Sequence, residues 1–267
     1  MYTVNMPGCQ TWTVAILGFG EAGAEIAAGL SAAGARVRGY DPVAPAPPGV
    51  VEAANDADAC ASADLVLSLT TAAEAEGALR QSLSGCTKAT VYADANTTSA
   101  GHKQRLAAIA ADAGLPFADI AIMAPVPGIG HRVPMLVSGT GAQRTGDILA
   151  DCGGSIQVLP GLAGLAATRK LLRSVFYKGM AAAALEALRA ARSAGCEEWL
   201  REHLAAELAA ADADTLARLE TGSYRHALRR SHEMAAAAEL LGELGVPPRI
   251  AEASRQWLED LSQVPES

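Results

Sequence analysis

The sequence predicts an α/β domain with a doubly wound, mostly parallel sheet, followed by an all-α domain. Short apolar runs alternate with helical patterns over the first part of the chain, which is typical of parallel strands covered by helices. The first apolar run enters a glycine-rich turn that opens a helix. After Gly161 the strand-like patterns stop. We therefore predict two domains, 1–161 and 162–267.

Composition excludes several classes of function. The chain has 267 residues and a formal charge of -8 with no basic block, so we expect no nucleic-acid partner. No apolar run reaches the roughly 18–20 residues of a membrane span, and no charged-then-apolar leader is present, so we expect no membrane partner and a cytoplasmic location. The cysteines are scattered without a CxxC or His/Cys cluster, which predicts free thiols and no metal site. They are Cys9, Cys60, Cys86, Cys152 and Cys196.

The glycine turn predicts a dinucleotide site. Strand Thr13–Leu17 leads into the loop Gly18-Phe19-Gly20-Glu21-Ala22-Gly23 and a helix of about Glu21–Ala33. The three glycines would allow a tight turn, close approach of a pyrophosphate, and packing of the helix on the strand. The helix N-terminus would face the phosphates. The alternative is a glycine turn that serves packing alone.

Asp41 indicates the choice of cofactor. It follows the second strand, Arg36–Tyr40, where a carboxylate accepts hydrogen bonds from the adenosine ribose and repels a 2′-phosphate. Residues 43–50 hold no Arg or Lys. NAD is therefore favoured, and Arg36 and Arg38 keep NADP open.

Two further strand ends carry polar side chains. Thr70 and Thr71 follow the strand Asp64–Leu69, and they could contact the cofactor or cap the next helix. The loop Asp94–Ser99 follows the strand Thr90–Ala93, and its alternative role is also capping. From this loop we predict that Asn96 and Thr97 contact the substrate, and that Asn96 also contacts the cofactor.

The remaining α/β pattern closes the first domain. Strand Phe117–Met123 leads into a Pro/Gly-rich loop that ends at His131. A strand at Met135–Ser138, a helix at Gln143–Cys152 and a last strand at Ser155–Leu159 follow.

A long helix, from Leu162 to about Ala194, opens the second domain. Lys170, Arg173, Ser174 and Tyr177 recur on it at i, i+3, i+4 and i+7, which puts them on one face. A lysine there could act as general acid/base. From spacing alone a solvated lysine is the stronger interpretation, and Lys178 is as good a candidate.

Four more helices are predicted after the long one. They cover about Glu197–Ala211, Asp212–Glu220, Tyr224–Leu244 and Pro248–Leu261. On the third of these, His232-Glu233 is the polar pair of most interest, with a solvated face as its alternative. An alanine-rich helical domain of this kind would bury its apolar stripes best in a homodimer.

Taken together, these motifs resemble the β-hydroxyacid dehydrogenases, relatives of 6-phosphogluconate dehydrogenase. Asp94-Ala-Asn96-Thr97 is similar to the family's Asp-x-Ser-Thr substrate loop, with Asn96 in place of serine. Gly164 and Lys170 match the family's Gly-x-Gly-x-x-x-Lys-x-x-Asn, while Ala166 and Arg173 replace its second glycine and its asparagine. The resemblance implies a Rossmann domain, a long helix, and Lys170 as acid/base rather than Lys178.

Two stretches set this chain apart within that resemblance. The family's Asp-x-Pro-Val-Ser-Gly-Gly, which receives a substrate carboxylate, is here Asp119-Ile-Ala-Ile-Met123-Ala-Pro125. Counting back from Gly245 puts His232 and Glu233 at a family Lys-Asp pair. The sequence resembles a divergent subgroup whose helical C-terminal domain has unknown function.

The hypothesis from sequence is therefore an NAD(P)-dependent oxidoreductase acting on a small hydroxy or oxo acid or a related carbonyl compound. Lys170 would transfer the proton. Asn96, Thr97, Met123, Arg173, Ser174, Tyr177 and His232 would surround the substrate, with His232 from this subunit or its partner. Imine reduction, oxidative decarboxylation and a non-catalytic NAD(H)-binding role are the alternatives.

Overall fold

A computed structural model describes Cys9 and residues 12–263 of the chain. The chain divides into two compact units, one ending at Arg173 and the other beginning at Ser174. The last strand ends at Val158, and the following helix supplies residues to both units. The predicted boundary near residue 161 falls in the turn between that strand and that helix.

The first unit is built on one sheet. Its strands are β1 (Thr13–Leu17), β2 (Arg36–Tyr40), β3 (Val51–Glu52), β4 (Leu65–Ser68), β5 (Val91–Asp94), β6 (Phe117–Ile122), β7 (Met135–Ser138) and β8 (Ile156–Val158). Within the described residues their order is β3-β2-β1-β4-β5-β6-β7-β8. Neighbours are parallel except β6 and β7, which are antiparallel. The segment between those two holds only the 3-10 turn Gly130–Arg132, and without a crossover helix the chain reverses direction.

Five helices cover the two faces of the sheet. They are α1 (Glu21–Ala32), α2 (Asp56–Cys60), α3 (Ala75–Ser82), α4 (Ala100–Asp112) and α5 (Ala142–Asp151). On one face Ile26 and Ile148 pack in one apolar cluster, and on the other Leu79 and Leu106 pack in a second. The sheet is therefore buried on both faces, as its apolar strands predict. The predicted doubly wound fold is confirmed.

The register aligns the strand ends that build the site. Ser68 of β4 pairs with Asp94 of β5, and Asp94 pairs with Asp119 of β6. All three side chains are buried. Parallel strands bring their carboxyl ends to one edge of the sheet, where such folds bind ligands.

The expectation of free thiols is wrong for two of the cysteines. Cys9 and Cys152 form a disulfide across 143 residues of sequence. Cys152 directly follows α5, so helix packing brings together two residues that no local pattern connects. Cys60, Cys86 and Cys196 are free thiols.

The second unit is helical throughout its described residues. It contains the later turns of α6 (Leu165–Ser193) with α7 (Glu197–Ala210), α8 (Ala213–Arg225), α9 (Ala227–Glu243) and α10 (Arg249–Ser262). Ala190, Leu241, Val246 and Ala251 form its small core. The α8 helix runs past Glu220, where the sequence predicts its end, so Tyr224 lies on α8 and not on α9. No helix among residues 12–263 combines the length and apolarity that crossing a membrane requires.

Candidate active site

The glycine loop has the geometry that a pyrophosphate needs. Gly18 has a φ of +98°, and a Cβ added there would lie 2.6 Å from the carbonyl oxygen of Leu69. A Cβ on Gly23 would lie 2.0 Å from the carbonyl oxygen of Gly18. By contrast, a Cβ on Gly20 would meet no atom within 4 Å. Two of the glycines are therefore demanded by packing, and the open space at the third fits a close approach by phosphate.

Asp41, which follows β2, is hydrogen-bonded to the glycine loop. Its Oδ2 accepts a hydrogen bond from the N–H of Phe19 at 2.7 Å. Its Oδ1 accepts bonds from the N–H groups of Val43 at 2.8 Å and Ala44 at 2.9 Å. Burial raises the pKa of the Asp41 carboxyl, but the three N–H groups together lower that pKa by more than burial raises it. The pKa of Asp41 therefore lies below its usual range. Asp41 is thus a fixed negative charge beside the loop.

A first cavity of about 450 Å³ lies between the glycine loop and Asp41. It is lined by Gly18, Gly20, Tyr40, Asp41, Pro42, Asp56, Leu69, Thr70, Thr71, Glu74, Ala78 and Gln81. Thr70 and Thr71, predicted as cofactor contacts, are among them. The Oγ1 of Thr71 also accepts the N–H of Glu74 at 3.3 Å, so this threonine also supports the turn before α3. The cavity is of a size that binds small molecules.

The other predicted members of the phosphate loop are not in the lining of this cavity. The Phe19 side chain is buried in the core, and its N–H is engaged by Asp41. Glu21 is exposed in the first turn of α1, and Gly23 is buried beneath it. Ala22 lines a second cavity.

The second cavity, also about 450 Å³, shares Leu69 and Thr70 with the first and so adjoins it. Its lining is Ala22, Leu69, Thr70, Ala95, Asn96, Thr97, Ile122, Met123, Ala124, Pro125, Val126, Lys170 and Arg173. Five predicted substrate-site residues therefore lie around one space, namely Asn96, Thr97, Met123, Lys170 and Arg173. These five residues come from the segments that follow β5 and β6 and from α6.

Asn96 is held by a network of buried polar groups. Its Nδ2 donates to Asp94 Oδ1 at 2.5 Å and to the hydroxyls of Ser68 and Thr70, each at 3.2 Å. Only 6% of the residue is exposed. The predicted alternative, that this loop caps α4, also applies to part of it, because Ser99 Oγ accepts the N–H of His102 at 3.3 Å.

Asp119 anchors the first turn of α6 to the sheet. Its Oδ2 accepts the N–H groups of Gly164 and Ala167, each at 3.0 Å. The hydroxyl of Ser138 donates to the same oxygen at 3.3 Å and accepts the N–H of Ala166 at 3.1 Å. A carboxylate at a helix N-terminus satisfies unpaired N–H groups and opposes the helix dipole. Lys170 follows within one turn of Ala167.

Lys103 is a site residue that sequence reasoning missed. It lies on α4 and is fully buried. Its Nζ contacts Asp94 Oδ2 and the Asp94 carbonyl oxygen, both at 2.6 Å, and Asp119 Oδ1 at 3.1 Å. The helix sequence Gly101-His-Lys-Gln-Arg105 reads as a solvated face. The available signal is the pair of aspartates on neighbouring strands, Asp94 at the end of β5 and Asp119 within β6, since buried carboxylates require a cation.

The wall that departs from the family motif is largely apolar. Met123, Ala124, Pro125 and Val126 line it, and their side chains carry no hydrogen-bond donor. Arg173 is the charged residue that accompanies Lys170 in the same lining. The cavity thus combines one apolar wall with two basic residues.

Three predicted substrate residues belong to the second unit. Ser174 and Tyr177 follow Arg173 on α6, and Tyr177 is exposed. His232 is exposed on α9, and its neighbour Glu233 pairs with Arg229. Their roles stay predictions. Within the described part of the chain, no group of three or more His, Cys, Asp or Glu side chains could hold a metal ion.

The chain matches two known family models. Residues 13–159, more than half of the chain, match the family model described as the NAD binding domain of 6-phosphogluconate dehydrogenase. The chain belongs to this family. Residues 191–261 match a domain of unknown function, DUF1932. The predicted relationship to the 6-phosphogluconate dehydrogenase group, with a helical domain of unknown function, is confirmed. A search of curated proteins gives no significant match.

Solved structures share the fold over nearly the whole chain. The conserved protein MTH1747 of unknown function, described as similar to 3-hydroxyacid dehydrogenases, is 28% identical, with 93% of this chain and 97% of that one covered and a TM-score of 0.60. A reductive aminase from Aspergillus terreus in complex with NADPH4, cyclohexanone and allyl amine is 20% identical, with 93% of each chain covered and a TM-score of 0.74. An imine reductase from Myxococcus stipitatus in complex with NADP+ is 18% identical, with 93% of each covered and a TM-score of 0.77. The chain therefore has an NAD(P)-binding fold of the dehydrogenase and reductase type.

Proposed function

We propose that this protein is an NAD-dependent oxidoreductase that acts on a small hydroxy or oxo acid, or on a related carbonyl compound. The observation that carries the proposal is that Lys170 and Asn96 line one cavity, which adjoins the cavity of the glycine loop through Thr70. The proposed cofactor site and the proposed site of proton transfer would thus lie side by side at one edge of the sheet.

Lys170 is the proposed acid/base. A nicotinamide cofactor, when bound, supplies or accepts the hydride. Lys170 as the ammonium form would donate a proton to the substrate oxygen during reduction, and the neutral amine would accept that proton during oxidation. Asn96 and Thr97 would hold the reacting group, and Arg173 would attract the carboxylate of an acid.

NAD is the proposed cofactor in preference to NADP. Asp41 carries a fixed negative charge at the end of β2, where a ribose 2′-phosphate would lie. Arg38, the nearest cation on β2, pairs with Asp58 at 2.8 Å. The gap at Gly20 and the adjoining cavity fit the remainder of the dinucleotide.

Imine reduction is a second candidate, favoured by a different observation. Met123, Ala124 and Pro125 replace the small residues that receive a carboxylate in the family motif, and they make that wall apolar. An uncharged imine would fit such a wall better than an acid would. Enzymes that act on imines share this fold, as the Myxococcus stipitatus protein does.

One kinetic experiment tests the proposal and separates it from its rivals. The purified protein is mixed with NADH or NADPH and with matched panels of oxo acids, ketones and cyclic imines, and cofactor oxidation is followed at 340 nm. The reverse direction uses hydroxy acids and records carbon dioxide release. Turnover of oxo acids with NADH supports the proposal, and turnover confined to imines favours the second candidate. Tight NADH binding without any turnover would instead identify a non-catalytic binder.

The lysine role is tested with a matched pair of variants. Lys170→Ala should lower kcat by about 10²- to 10⁴-fold, the usual contribution of a general acid or base. Lys178→Ala, which removes an exposed lysine from the same helix, should retain the wild-type rate. Full turnover by Lys170→Ala would exclude Lys170 as the acid/base.

We further propose a homodimer formed through the helical unit. Large apolar side chains are exposed on α6, α7 and α8 to a degree that marks an interaction surface. They include Val175, Phe176, Leu185, Trp199, Leu208 and Leu216. Leu185→Asp should shift the mass measured by light scattering toward the monomer, whereas Val43→Asp, at an exposed position of the first unit, should not.

A further inference from the structure

The buried ion cluster beneath the site contains more negative than positive charge. Lys103 is fully buried, as are Asp94 and Asp119, so two carboxylates share one ammonium group. The excess negative charge is balanced by hydrogen-bond donors. Asn96 donates to Asp94, and the first turn of α6 donates to Asp119 through Gly164 and Ala167. The cluster therefore contacts the two halves of the proposed site, which are Asn96 and the helix that carries Lys170.

The hydrogen bond to Asp94 determines which way the Asn96 amide points. Asp94 Oδ1 lies 2.5 Å from Nδ2, a position that the amide oxygen could not take because two acceptors would then face each other. The Ser68 and Thr70 hydroxyls also accept from Nδ2. The Nδ2 group of Asn96 is thus engaged by three acceptors, and Asn96 lines the second cavity. The group that Asn96 offers to a ligand is therefore its carbonyl oxygen.

The hydrogen bonds that Asp119 accepts determine the position of α6, the helix that carries Lys170. The Asp119 carboxylate reaches Lys103 with one oxygen and the N–H groups of α6 with the other. Without the ammonium, the Asp94 and Asp119 carboxylates would face each other and repel, which would pull Asp119 away from the first turn of α6.

We propose that Lys103 is a positioning residue for both halves of the site: through Asp94 it fixes the Asn96 amide with its oxygen toward the cavity, and through Asp119 it seats the helix of Lys170. It follows that the substrate group beside Asn96 is a hydrogen-bond donor, a hydroxyl or a protonated nitrogen, and not a carboxylate. The consequence for substrates rests on the proposed function. The orientation of Asn96 does not.

The test uses variants that separate positioning from stability. Lys103→Met leaves two carboxylates without a cation and should unfold at a clearly lower temperature. The double variant Lys103→Met/Asp94→Asn removes one positive and one negative charge, which restores the original net charge of the cluster. Its unfolding midpoint should return toward that of the wild-type protein. Lys88→Met, at an exposed lysine of the same unit, is the control and should change nothing.

The first readout needs no turnover. In the wild-type protein the two Nδ2 hydrogens of Asn96, assigned in ¹⁵N spectra by their loss in Asn96→Ser, should exchange slowly with solvent. In Lys103→Met/Asp94→Asn they should exchange at least about tenfold faster, because the ionic acceptor is gone. Fast exchange in the wild-type protein, or unchanged exchange in the double variant, would overturn the proposal even if no substrate is ever found.

The second readout is kinetic and uses a substrate with a donor at the reacting group, namely whichever hydroxy acid or protonated imine is turned over. The double variant should show a KM raised about tenfold, roughly the effect of losing one oriented hydrogen bond to the substrate. The affinity for NADH should change much less than KM, because neither Lys103 nor Asp94 lines the first cavity. A double variant with restored stability and a wild-type KM would show that Lys103 serves folding alone.

Discussion

The Oδ2 atom of Asp41 accepts a hydrogen bond from the N–H of Phe19 at 2.7 Å, which ties the end of β2 to the glycine loop. The same carboxylate is held in its ionised form by two further N–H groups, from Val43 and Ala44. Asp41 therefore shapes the loop, and under the proposed function its charge would also repel a 2′-phosphate.

We expect Asp41→Asn to weaken the preference for NADH over NADPH. The change keeps one acceptor oxygen for the loop but removes the negative charge, so the repulsion of a 2′-phosphate is lost. The dissociation constant for NADPH divided by that for NADH, both measured by fluorescence titration, should fall by about tenfold, equivalent to roughly 1.4 kcal/mol. Asp112→Asn, at the exposed end of α4, is the control. An unchanged ratio in Asp41→Asn would contradict the assignment.

Gly20→Ala should separate cofactor binding from folding. A Cβ at residue 20 meets no atom within 4 Å, and its φ of -61° suits any residue, so the unfolding midpoint should not change. The affinity for NADH should drop by at least about tenfold, because the methyl group would occupy space that the pyrophosphate needs.

Gly18→Ala is the contrasting variant at the same loop. A left-handed φ of +98° and a carbonyl oxygen 2.6 Å from the new Cβ should lower stability by more than about 1–2 kcal/mol. Chemical denaturation measures this difference directly. If Gly20→Ala were the less stable of the two, the roles assigned to these glycines would be reversed.

His131 should make the protein less stable at mildly acidic pH. Burial and nearby Arg132 lower the pKa of its imidazole, against a smaller opposing effect of the hydrogen bond to the Cys152 carbonyl oxygen. The folded pKa therefore lies below the unfolded value of about 6.5. Stability is full above that value and is lost as pH falls through it toward the folded pKa.

The corresponding measurement is urea unfolding of His131→Gln at a series of pH values from about 7.5 to 5.5. Its free energy of unfolding should fall less steeply with decreasing pH than that of the wild-type protein. His203→Gln replaces an exposed histidine and should keep the wild-type slope. Equal slopes for all three proteins would mean that His131 titrates normally.

Glu186 should stabilise the helical unit by capping α10. Its carboxylate oxygens accept the N–H of Ile250 at 2.9 and 3.1 Å and the N–H of Ala251 at 2.9 Å. Glu186→Ala should cost about 1 kcal/mol, the usual value of a lost cap. Hydrogen exchange at the first turn of α10 should accelerate in Glu186→Ala and less so in Glu186→Gln, which keeps one acceptor. Exchange that changes equally in both variants would contradict a capping role.

Local patterns predicted the sheet and the glycine loop, because strands and the turn after β1 are specified by neighbouring residues. The two-residue β3 gives no periodic signal and was missed. The sequence predicts too early an end for α8, because glycine normally interrupts a helix. In the structure α8 continues through Gly222, which lies close to the Arg230 side chain. Tertiary packing outweighed the local preference at that residue.

The site was predictable where strand ends meet and not where helices pack. Asn96 and Lys170 follow from the strand end and the family motif, and they line the same cavity. Lys103 looked like a solvated helix residue, and Cys9 and Cys152 lie far apart in sequence. Each of these depends on contacts between distant segments, which a local pattern does not encode.

The boundary between the two units lies inside α6, after Arg173. Lys170 therefore belongs to the nucleotide-binding unit, held there by the bonds from Asp119 and Ser138 to the first turn of the helix. The proposed proton carrier and the proposed cofactor site therefore lie in one compact unit. A descendant of this protein could exchange everything after Arg173 for another helical unit, and so acquire different substrates, without rebuilding its chemistry.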